Sequence, residues 1–341
     1  DLNKVCDMTL AARAPEEVEL GGGEKRSLMR VEQTAVLEGK PRPEYRMTYW
    51  VDAGGQVLKS SSDILGGMVT YRTTREAATS PDGAGTLDQL VMSIVKVTHK
   101  IPRSESSRDI VYRVALKDES PVEVFPNDRR QAIQPGGDKF SATLRVKTAG
   151  PNDGPRGPEA VDEEFLRPNS LITSADERVV ALARQAVGSA VDPWDKAVRI
   201  ERWVAANMKN KNFATAFAPA SEVARNLSGD CTEHGVLTAA LCRAVGIPAR
   251  VAIGLVYVDH LGGFGYHLWN EVYVNRRWVA IDAAFDQTEV DAVHLKLSDT
   301  SLAGSPTRPS CPSRVMNKLT LEPQEVRRAA QDGRGGAWQV R

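Results

Sequence analysis

One cysteine of this sequence lies near the predicted start of a helix, a position at which a cysteine can act as a nucleophile. The segment reads Ser228-Gly-Asp-Cys-Thr-Glu-His-Gly-Val-Leu-Thr-Ala-Ala-Leu-Cys-Arg-Ala-Val-Gly-Ile-Pro248. Asp230 and Glu233 have the spacing of a capping box, and an apolar stripe follows them as far as Gly246. These signals place Cys231 at the first helical position. There the unpaired backbone N–H groups and the helix dipole favour the reactive thiolate.

The two carboxylates beside this cysteine oppose its ionisation. Asp230 and Glu233 both carry negative charge close to the sulfur of Cys231. A strong nucleophile at this position therefore needs a cation nearby. Histidine is the side chain that supplies such a cation and also exchanges protons near neutral pH, so the sequence predicts a histidine partner.

A β-hairpin further along the chain carries a suitable histidine. Ala249 to Val258 alternates as a strand, and Tyr266 to Val274 with Trp278 to Ala284 predicts a hairpin that turns at Asn275-Arg276. Between the first strand and the hairpin, Asp259 to Gly265 is a glycine-rich loop.

The register of that hairpin decides whether a histidine and a carboxylate meet. If the turn has two central residues, Trp269 lies opposite Asp282, and His267 lies opposite Ala284. His267 and Asp282 then form a diagonal pair on one face of the hairpin, within reach of each other. A loop longer or shorter by one residue would put them on opposite faces.

Together these residues have the parts of a thiol acyl-transfer site. Cys231 is the nucleophile at the helix tip, His267 holds the ion pair and moves protons, and Asp282 fixes the tautomer of the imidazole. Two alternatives stay open at this point. His234, one turn after the cysteine, is a second candidate base, and Cys231, His234, His260 and His267 have the composition of a zinc site.

Helices predicted before the cysteine supply the packing for its helix. Ser174-x-x-Glu177 reads as a capping box that opens one helix, and Asp192-Pro193 reads as an N-cap and first position of a second helix that runs to about Asn210. A short third helix is predicted from Ala220 to Leu227.

The same motifs resemble a known family. Gly229-Asp-Cys-Thr-Glu-His234, Leu241-Cys-Arg-Ala-Val-Gly-Ile-Pro-Ala-Arg250, Tyr266-His-Leu-Trp-Asn-Glu-Val-Tyr273 and Trp278-Val-Ala-Ile-Asp282 are similar, in this order, to those of the transglutaminase-like superfamily, bacterial branch. The resemblance covers about residues 220–284. It implies a papain-like α+β core with Cys231, His267 and Asp282 as catalytic triad, and no cofactor.

What the resemblance implies about the reaction is acyl transfer on protein or peptide amides through a thioester, either glutamine γ-glutamyl transfer to an amine or amide hydrolysis. A cysteine peptidase and an inactive peptide-binding module are the alternatives. No calcium loop is evident, so the calcium dependence of animal members is not carried over. The tryptophan of their oxyanion hole has no clear counterpart, because Trp194 and Trp203 are predicted to pack in a helical core. The backbone N–H of Cys231 is the predicted oxyanion donor.

Length and composition restrict the remaining possibilities. The chain has 341 residues, 41% of them hydrophobic, and its 44 Lys and Arg balance its 44 Asp and Glu, so neither disorder nor general nucleic-acid binding is expected. No apolar run approaches the roughly 20 residues of a membrane helix. Four cysteines are too few for a disulfide scaffold, although a single Cys6–Cys311 bridge stays open.

The first part of the chain has a different pattern from the second. Short alternating runs, among them Arg46 to Val51, Val122 to Phe125 and Ser141 to Lys147, predict an all-β region that forms an antiparallel sandwich, a barrel or a curved sheet. The run from Gly150 to Pro158, with three glycines and three prolines, predicts a boundary. The expected organisation is a β-rich accessory domain (1–149), a linker (150–158), a catalytic domain (159–331) and a flexible tail (332–341).

The start of the sequence bears on location. Because the chain begins at Asp1 rather than at methionine, we expect that a preceding segment has been removed. Together with the resemblance and the β-rich region, this favours a periplasmic, cell-envelope or secreted location, with the cytoplasm kept as an alternative.

Overall fold

The structure is a computed structural model of the whole chain. It describes residues 6–21, 23–37, 39–41, 46–62, 68–74, 94–153, 159–210, 218–303, 314–315, 318–328 and 338–339. The side chain of Cys6 and all of Cys311 fall outside this description, so the bridge between them stays a prediction. Cys231 and Cys242 are free thiols.

Contacts between residues divide the chain into two compact units. The first comprises 1–93 and 308–317, and the second comprises 94–307 and 318–341. The Gly- and Pro-rich run at 150–158 lies within the second unit, and its residues 154–158 are outside the described residues. The expected domains at 1–149 and 159–331 stay predictions. Of the predicted tail, only Trp338–Gln339 is described, as a strand.

The first unit is an antiparallel sheet, as the alternating N-terminal pattern predicted. Its six strands have the order β1-β2-β4-β5-β6, with β3 paired to β2. Val18, Leu28 and Leu58 form a small core on this sheet. The strands are β1 (Cys6–Glu19), β2 (Lys25–Leu37), β3 (Lys40–Pro41), β4 (Met47–Val51), β5 (Val57–Ser62) and β6 (Met68–Tyr71).

The second unit contains ten strands and five α-helices among its described residues. The strands are β7 (Val95–Lys96), β8 (Ser107–Leu116), β9 (Gln131–Pro135), β10 (Ser141–Lys147), β11 (Ala249–Val258), β12 (Gly263–Val274), β13 (Arg277–Ile281), β14 (His294–Thr300), β15 (Leu319–Arg328) and β16 (Trp338–Gln339). The helices are α1 (Pro121–Val124), α2 (Glu177–Val187), α3 (Pro193–Asn207), α4 (Ala220–Asn226) and α5 (Cys231–Ala244).

One predicted strand is a helix. The run Val122 to Phe125 was expected to be extended, but the structure has the single-turn helix α1 there. Ser120 precedes it and Pro121 takes its first position, which is the arrangement that favours a helix start. Four residues with alternating polarity do not distinguish one helical turn from a short strand.

Two antiparallel sheets make up the strands of this unit. One has the order β16-β15-β8-β10-β9, and the other has the order β13-β12-β11-β14, with β7 paired to β12. Side chains of the first sheet reach the second: the hydroxyl of Tyr112 donates to the carbonyl of Ala292, and the Gln131 side-chain amide donates to the carbonyl of Lys296.

The helices α2 to α5 pack on one face of the second sheet and form the main core. Val236, Leu237 and Leu241 of α5 are fully buried there, with Val251 and Val272 from the strands. Helix α2 is capped by Asp176, not by Ser174 as the sequence predicted, because its side chain accepts from the N–H groups of Arg178 and Val179. This mixed α+β architecture confirms the predicted fold class. None of the described helices is long and apolar enough to cross a bilayer.

Candidate active site

Cys231 occupies the first position of α5, as its spacing from Asp230 and Glu233 predicted. The Asp230 carboxylate accepts from the N–H of Thr232 at 2.8 Å, and the Glu233 carboxylate accepts from the N–H of Asp230 at 3.1 Å. The capping box is therefore complete. It fixes the first turn of the helix and leaves the half-buried Cys231 at its tip.

Glu233 also ties the helix start to the chain before it. Its Oε1 accepts from the N–H of Ala218 at 3.1 Å, and its side chain is almost fully buried. Burial raises the pKa of this carboxyl group. A carboxyl group that resists ionisation opposes a neighbouring thiolate less than an exposed one would.

The hairpin that carries His267 has the predicted register. Tyr273 pairs with Trp278 and Val274 with Arg277, which leaves Asn275 and Arg276 as the two central residues of the turn. Both have positive φ, 51° and 63°, as a type I′ turn requires.

Because of this register, His267 and Asp282 meet. The Nε2 atom of His267 lies 2.6 Å from Oδ2 of Asp282, and both side chains are buried. The side chain of Cys231 is close enough to the same imidazole to raise its pKa. Since Asp282 engages Nε2, Nδ1 is the ring nitrogen that remains for the thiol.

The charges around His267 decide its protonation. Burial alone would lower its pKa, but the Asp282 carboxylate and the Cys231 sulfur outweigh burial and raise the pKa to about 9. The imidazole is therefore protonated at neutral pH.

Asp282 is held in place from several sides. Its backbone exchanges two hydrogen bonds with Gln287, of 2.8 and 2.9 Å, and its Oδ1 accepts from the N–H of Ala284 at 2.9 Å. Burial alone would raise its pKa, but His267 and His294 hold the pKa of this carboxyl well below its usual range. The fixed carboxylate of Asp282 can therefore orient the imidazole of His267 without taking its proton.

His294 and Asp291 belong to this site but were missed from the sequence. His294 Nε2 lies 3.1 Å from Asp282 Oδ2, and His294 Nδ1 lies 2.7 Å from Asp291 Oδ1. Asp291-x-x-His294 follows the hairpin directly, and that clustering was a usable signal. However, the loop that folds His294 back onto Asp282 has no sequence periodicity that predicts it.

Four other residues considered from the sequence are not part of the group formed by Cys231, His267 and Asp282. The ring of His234 donates from Nδ1 to the carbonyl of Asp230, one turn earlier in the same helix. His260 is exposed in the loop after β11. Trp194 and Trp203 are partly buried against the helical core, as predicted.

Among the described residues, one group of potential metal-binding side chains is close together. Polar atoms of His267, Asp282 and His294 lie within 4.8 Å of one another. The alternative zinc set with Cys231, His234 and His260 does not form such a cluster. In the cluster that exists, the atoms are already hydrogen-bonded to each other.

A buried acid and an exposed aromatic ring lie near Asp282 and His267. Glu201 of α3 is fully buried, and neither of its carboxyl oxygens has a hydrogen-bond partner among the described residues. Burial, together with the nearby charges of Asp286 and Asp282, raises its pKa to about 8. The ring of Phe285, which is 47% exposed, makes an edge contact with His267 at 4.8 Å.

Comparison with known proteins supports the family resemblance. Residues 180–283 match the family model of the transglutaminase-like superfamily, so the chain carries a transglutaminase-like core. The matched segment contains α5, the hairpin and all of Cys231, His267 and Asp282. A search of curated proteins gives no significant match.

Solved structures give distant similarities. A candidate cysteine protease from Cytophaga hutchinsonii is 16% identical, with 69% of this chain and 88% of that chain covered and a TM-score of 0.42. The periplasmic domain of TgpA from Pseudomonas aeruginosa, bound to ethylmercury, is 15% identical. The match covers 53% of this chain and 91% of that chain, with a TM-score of 0.31. With TM-scores below 0.5, these structures do not inform the site.

Proposed function

We propose that this protein is a cysteine-dependent acyltransferase or hydrolase that acts on protein or peptide amides. The observation that supports this most strongly is the buried contact of His267 with Asp282, together with Cys231 at the tip of α5, whose sulfur is close enough to raise the pKa of the same imidazole. An oriented imidazolium beside a thiol is the arrangement that activates a sulfur nucleophile. The family match over 180–283 agrees with this chemistry.

The reaction would take two steps. In the first, the Cys231 thiolate attacks the amide carbonyl carbon, the C–N bond breaks, and the imidazolium of His267 gives its proton to the departing amine. In the second, water or an amine attacks the thioester, and neutral His267 accepts the proton of the attacking group. The C–S bond breaks, and the thiolate and imidazolium are restored.

The oxyanion of each tetrahedral intermediate needs hydrogen-bond donors. The backbone N–H of Cys231 belongs to the first turn of α5, where N–H groups have no partner within the helix. We assign it as one donor to the oxyanion.

Product analysis separates the two forms of the reaction. The protein is incubated with glutamine-containing peptides and a fluorescent primary amine, and amine incorporation, ammonia release and peptide cleavage are followed together. Incorporation would identify a transferase, ammonia an amidase, and cleavage a peptidase. All products should disappear in Cys231→Ala and persist in His260→Gln, which changes an exposed histidine outside the site.

A peptide-binding module without catalysis is the remaining alternative. It would release none of these products, and Cys231 would react with alkylating reagents no faster than an ordinary thiol. A location in the periplasm, cell envelope or medium stays a prediction, which the coding sequence upstream of Asp1 would test.

A further inference from the structure

A second histidine shares the carboxylate of the proposed triad. Oδ2 of Asp282 lies 2.6 Å from Nε2 of His267 and 3.1 Å from Nε2 of His294. His294 begins β14 and is 1% exposed. Since both histidines lie against one oxygen atom, a change in the charge of one must affect the other.

The opposite side of the His294 ring faces another carboxylate, which is itself fixed. Oδ1 of Asp291 lies 2.7 Å from Nδ1 of His294. Asp291 Oδ2 accepts from the side-chain amide of Gln287 at 2.8 Å, and its Oδ1 also accepts from the N–H of Val293 at 3.2 Å. Gln287 is the residue whose backbone pairs with Asp282, so one short loop holds both carboxylates against the ring.

These contacts define the protonation of His294. Ionised carboxylates accept hydrogen bonds and do not donate them, so a ring with a carboxylate on each nitrogen is satisfied when both nitrogens carry a proton. Burial alone would lower the pKa of His294, but Asp291 and Asp282 outweigh burial and raise it. The two carboxylate contacts therefore favour the cationic form of the buried His294 ring.

We propose that His294 is a positioning residue that acts through Asp282: its positive charge limits how strongly Asp282 holds the proton on His267. This inference rests on the proposed function, because it assigns a role in the same site. A buried carboxylate with no second partner would stabilise the His267 imidazolium more strongly. His267 would then accept a proton poorly in the second step, when it must act as the base.

Other charged and aromatic groups surround this pair. Rings of His267, Trp269 and Phe285 contact His294, with centroid distances of 5.6, 5.3 and 6.0 Å. On the side of Asp291, the Arg130 guanidinium donates to the backbone carbonyl of Asp291. The charge of Asp291 also helps to raise the pKa of Tyr112. On the side of Asp282, the nearby acid is Glu201, on which the charge of Asp286 also acts.

The proposal predicts that loss of His294 raises the pKa of His267. A purely structural role of His294 predicts the opposite change. Replacing His294 with a neutral residue removes a positive charge whose ring centre is 5.6 Å from that of His267. At an effective dielectric constant of about 20, this should raise the pH at which His267 loses its proton by about two units. If His294 only kept Asp282 aligned, its loss would weaken the His267–Asp282 bond and lower that pH.

The first test measures the protonation of His294 in the wild-type protein. NMR of the folded protein with isotope-labelled histidine reports the protonation of each ring nitrogen, and Cys231→Ala, His260→Gln and His294→Gln assign the signals. We expect His294 to be protonated at both nitrogens at about pH 7, because Asp291 and Asp282 raise its pKa. A neutral His294 at pH 7 would overturn the proposal.

The second test follows His267 in His294→Gln. Iodoacetate is anionic and iodoacetamide is neutral, so the ratio of their rates at Cys231 falls when His267 loses its positive charge. The midpoint of that fall should move up by at least about one pH unit in His294→Gln and stay unchanged in His260→Gln. A midpoint that is unchanged or moves down would contradict the role of His294.

Asp291→Asn keeps the His294 ring but removes one of its two carboxylate partners. By NMR, the midpoint of His294 should fall by about one unit or more in this variant. An unchanged midpoint would contradict the assignment of Asp291 as the second partner.

The outcomes also separate this inference from the proposed function. If wild-type Cys231 reacts no faster than an ordinary thiol, the proposed function fails, whatever the state of His294. If Cys231 is activated but the midpoint of His267 does not rise in His294→Gln, only the inference about His294 fails.

Discussion

His267 and Asp282 are 15 residues apart in the chain, yet Nε2 of one lies 2.6 Å from Oδ2 of the other. The cause is the two-residue turn at Asn275 and Arg276, which sets the pairing of β12 with β13. Adding or removing a residue in that turn would shift the register by one and separate the two side chains. The contact on which the proposed chemistry depends is thus fixed by a turn at the far end of the hairpin.

The first prediction concerns that turn. Arg276 has a φ of 63°, a conformation that glycine adopts without the penalty of a Cβ atom. We expect Arg276→Gly to increase the free energy of unfolding by about 0.5–1 kcal/mol, measured by urea denaturation. Arg276→Ala removes the same side chain but keeps the Cβ, and it should not stabilise the protein. Equal effects of the two variants would contradict the explanation from backbone conformation.

The second prediction concerns Gly229, just before the capping box of α5. Its φ is 137°, and a Cβ atom there would lie 2.5 Å from Cβ and Cγ of Glu233. Gly229→Ala should therefore displace the Glu233 side chain, lower the free energy of unfolding by about 2 kcal/mol or more, and slow the alkylation of Cys231.

Gly246 provides the matched control for this substitution. It also has positive φ, 81°, but a Cβ atom there would meet nothing within 4 Å. Gly246→Ala should cost about 1 kcal/mol and leave the reactivity of Cys231 unchanged. A loss of Cys231 reactivity in both variants would mean that general destabilisation, not the capping box, is responsible.

The third prediction concerns the buried acid Glu201. Its pKa in the folded protein is about 8, against an ordinary value of 4.5, so the folded state holds a proton that the unfolded state releases. Between these values the free energy of unfolding of the wild type should fall as pH rises, by up to about 4 kcal/mol in total.

Glu201→Gln removes this titration. Relative to the wild type, the variant should therefore gain stability as pH rises from about 5 to about 8, measured by urea denaturation at each pH. Glu222→Gln, at an exposed position of α4, should show no such trend. A constant difference between Glu201→Gln and the wild type across this range would exclude a raised pKa at Glu201.

The fourth prediction uses the raised pKa of His267. Because the folded value is about 9 and the ordinary value is 6.5, the stabilisation from this proton is complete below about pH 6.5 and is lost as pH rises to 9. The gap in unfolding free energy between the wild type and His267→Gln should therefore shrink by about 3 kcal/mol over that window. A gap that is independent of pH would show that His267 does not bind its proton more tightly in the folded state.

Much of this site could be predicted from the sequence because it depends on local signals. The capping box places Cys231, and the turn at Asn275-Arg276 places His267 beside Asp282. By contrast, the partners His294 and Asp291 depend on a loop without periodicity. The raised pKa of the buried Glu201 depends on packing between elements distant in the chain, which no local pattern encodes. The prediction of a strand from Val122 to Phe125 was wrong because four residues are too few to show a period.

The central claim is most directly tested by the rate of alkylation of each cysteine. Wild-type protein is treated with iodoacetamide at neutral pH, and the modified cysteines are followed over time by mass spectrometry of peptides. We predict that Cys231 reacts at least about tenfold faster than Cys6, Cys242 and Cys311, that His267→Gln removes most of this advantage, and that His260→Gln keeps it. Equal rates for Cys231 in the wild type and in His267→Gln would contradict the account, because the imidazole would then not activate the thiol.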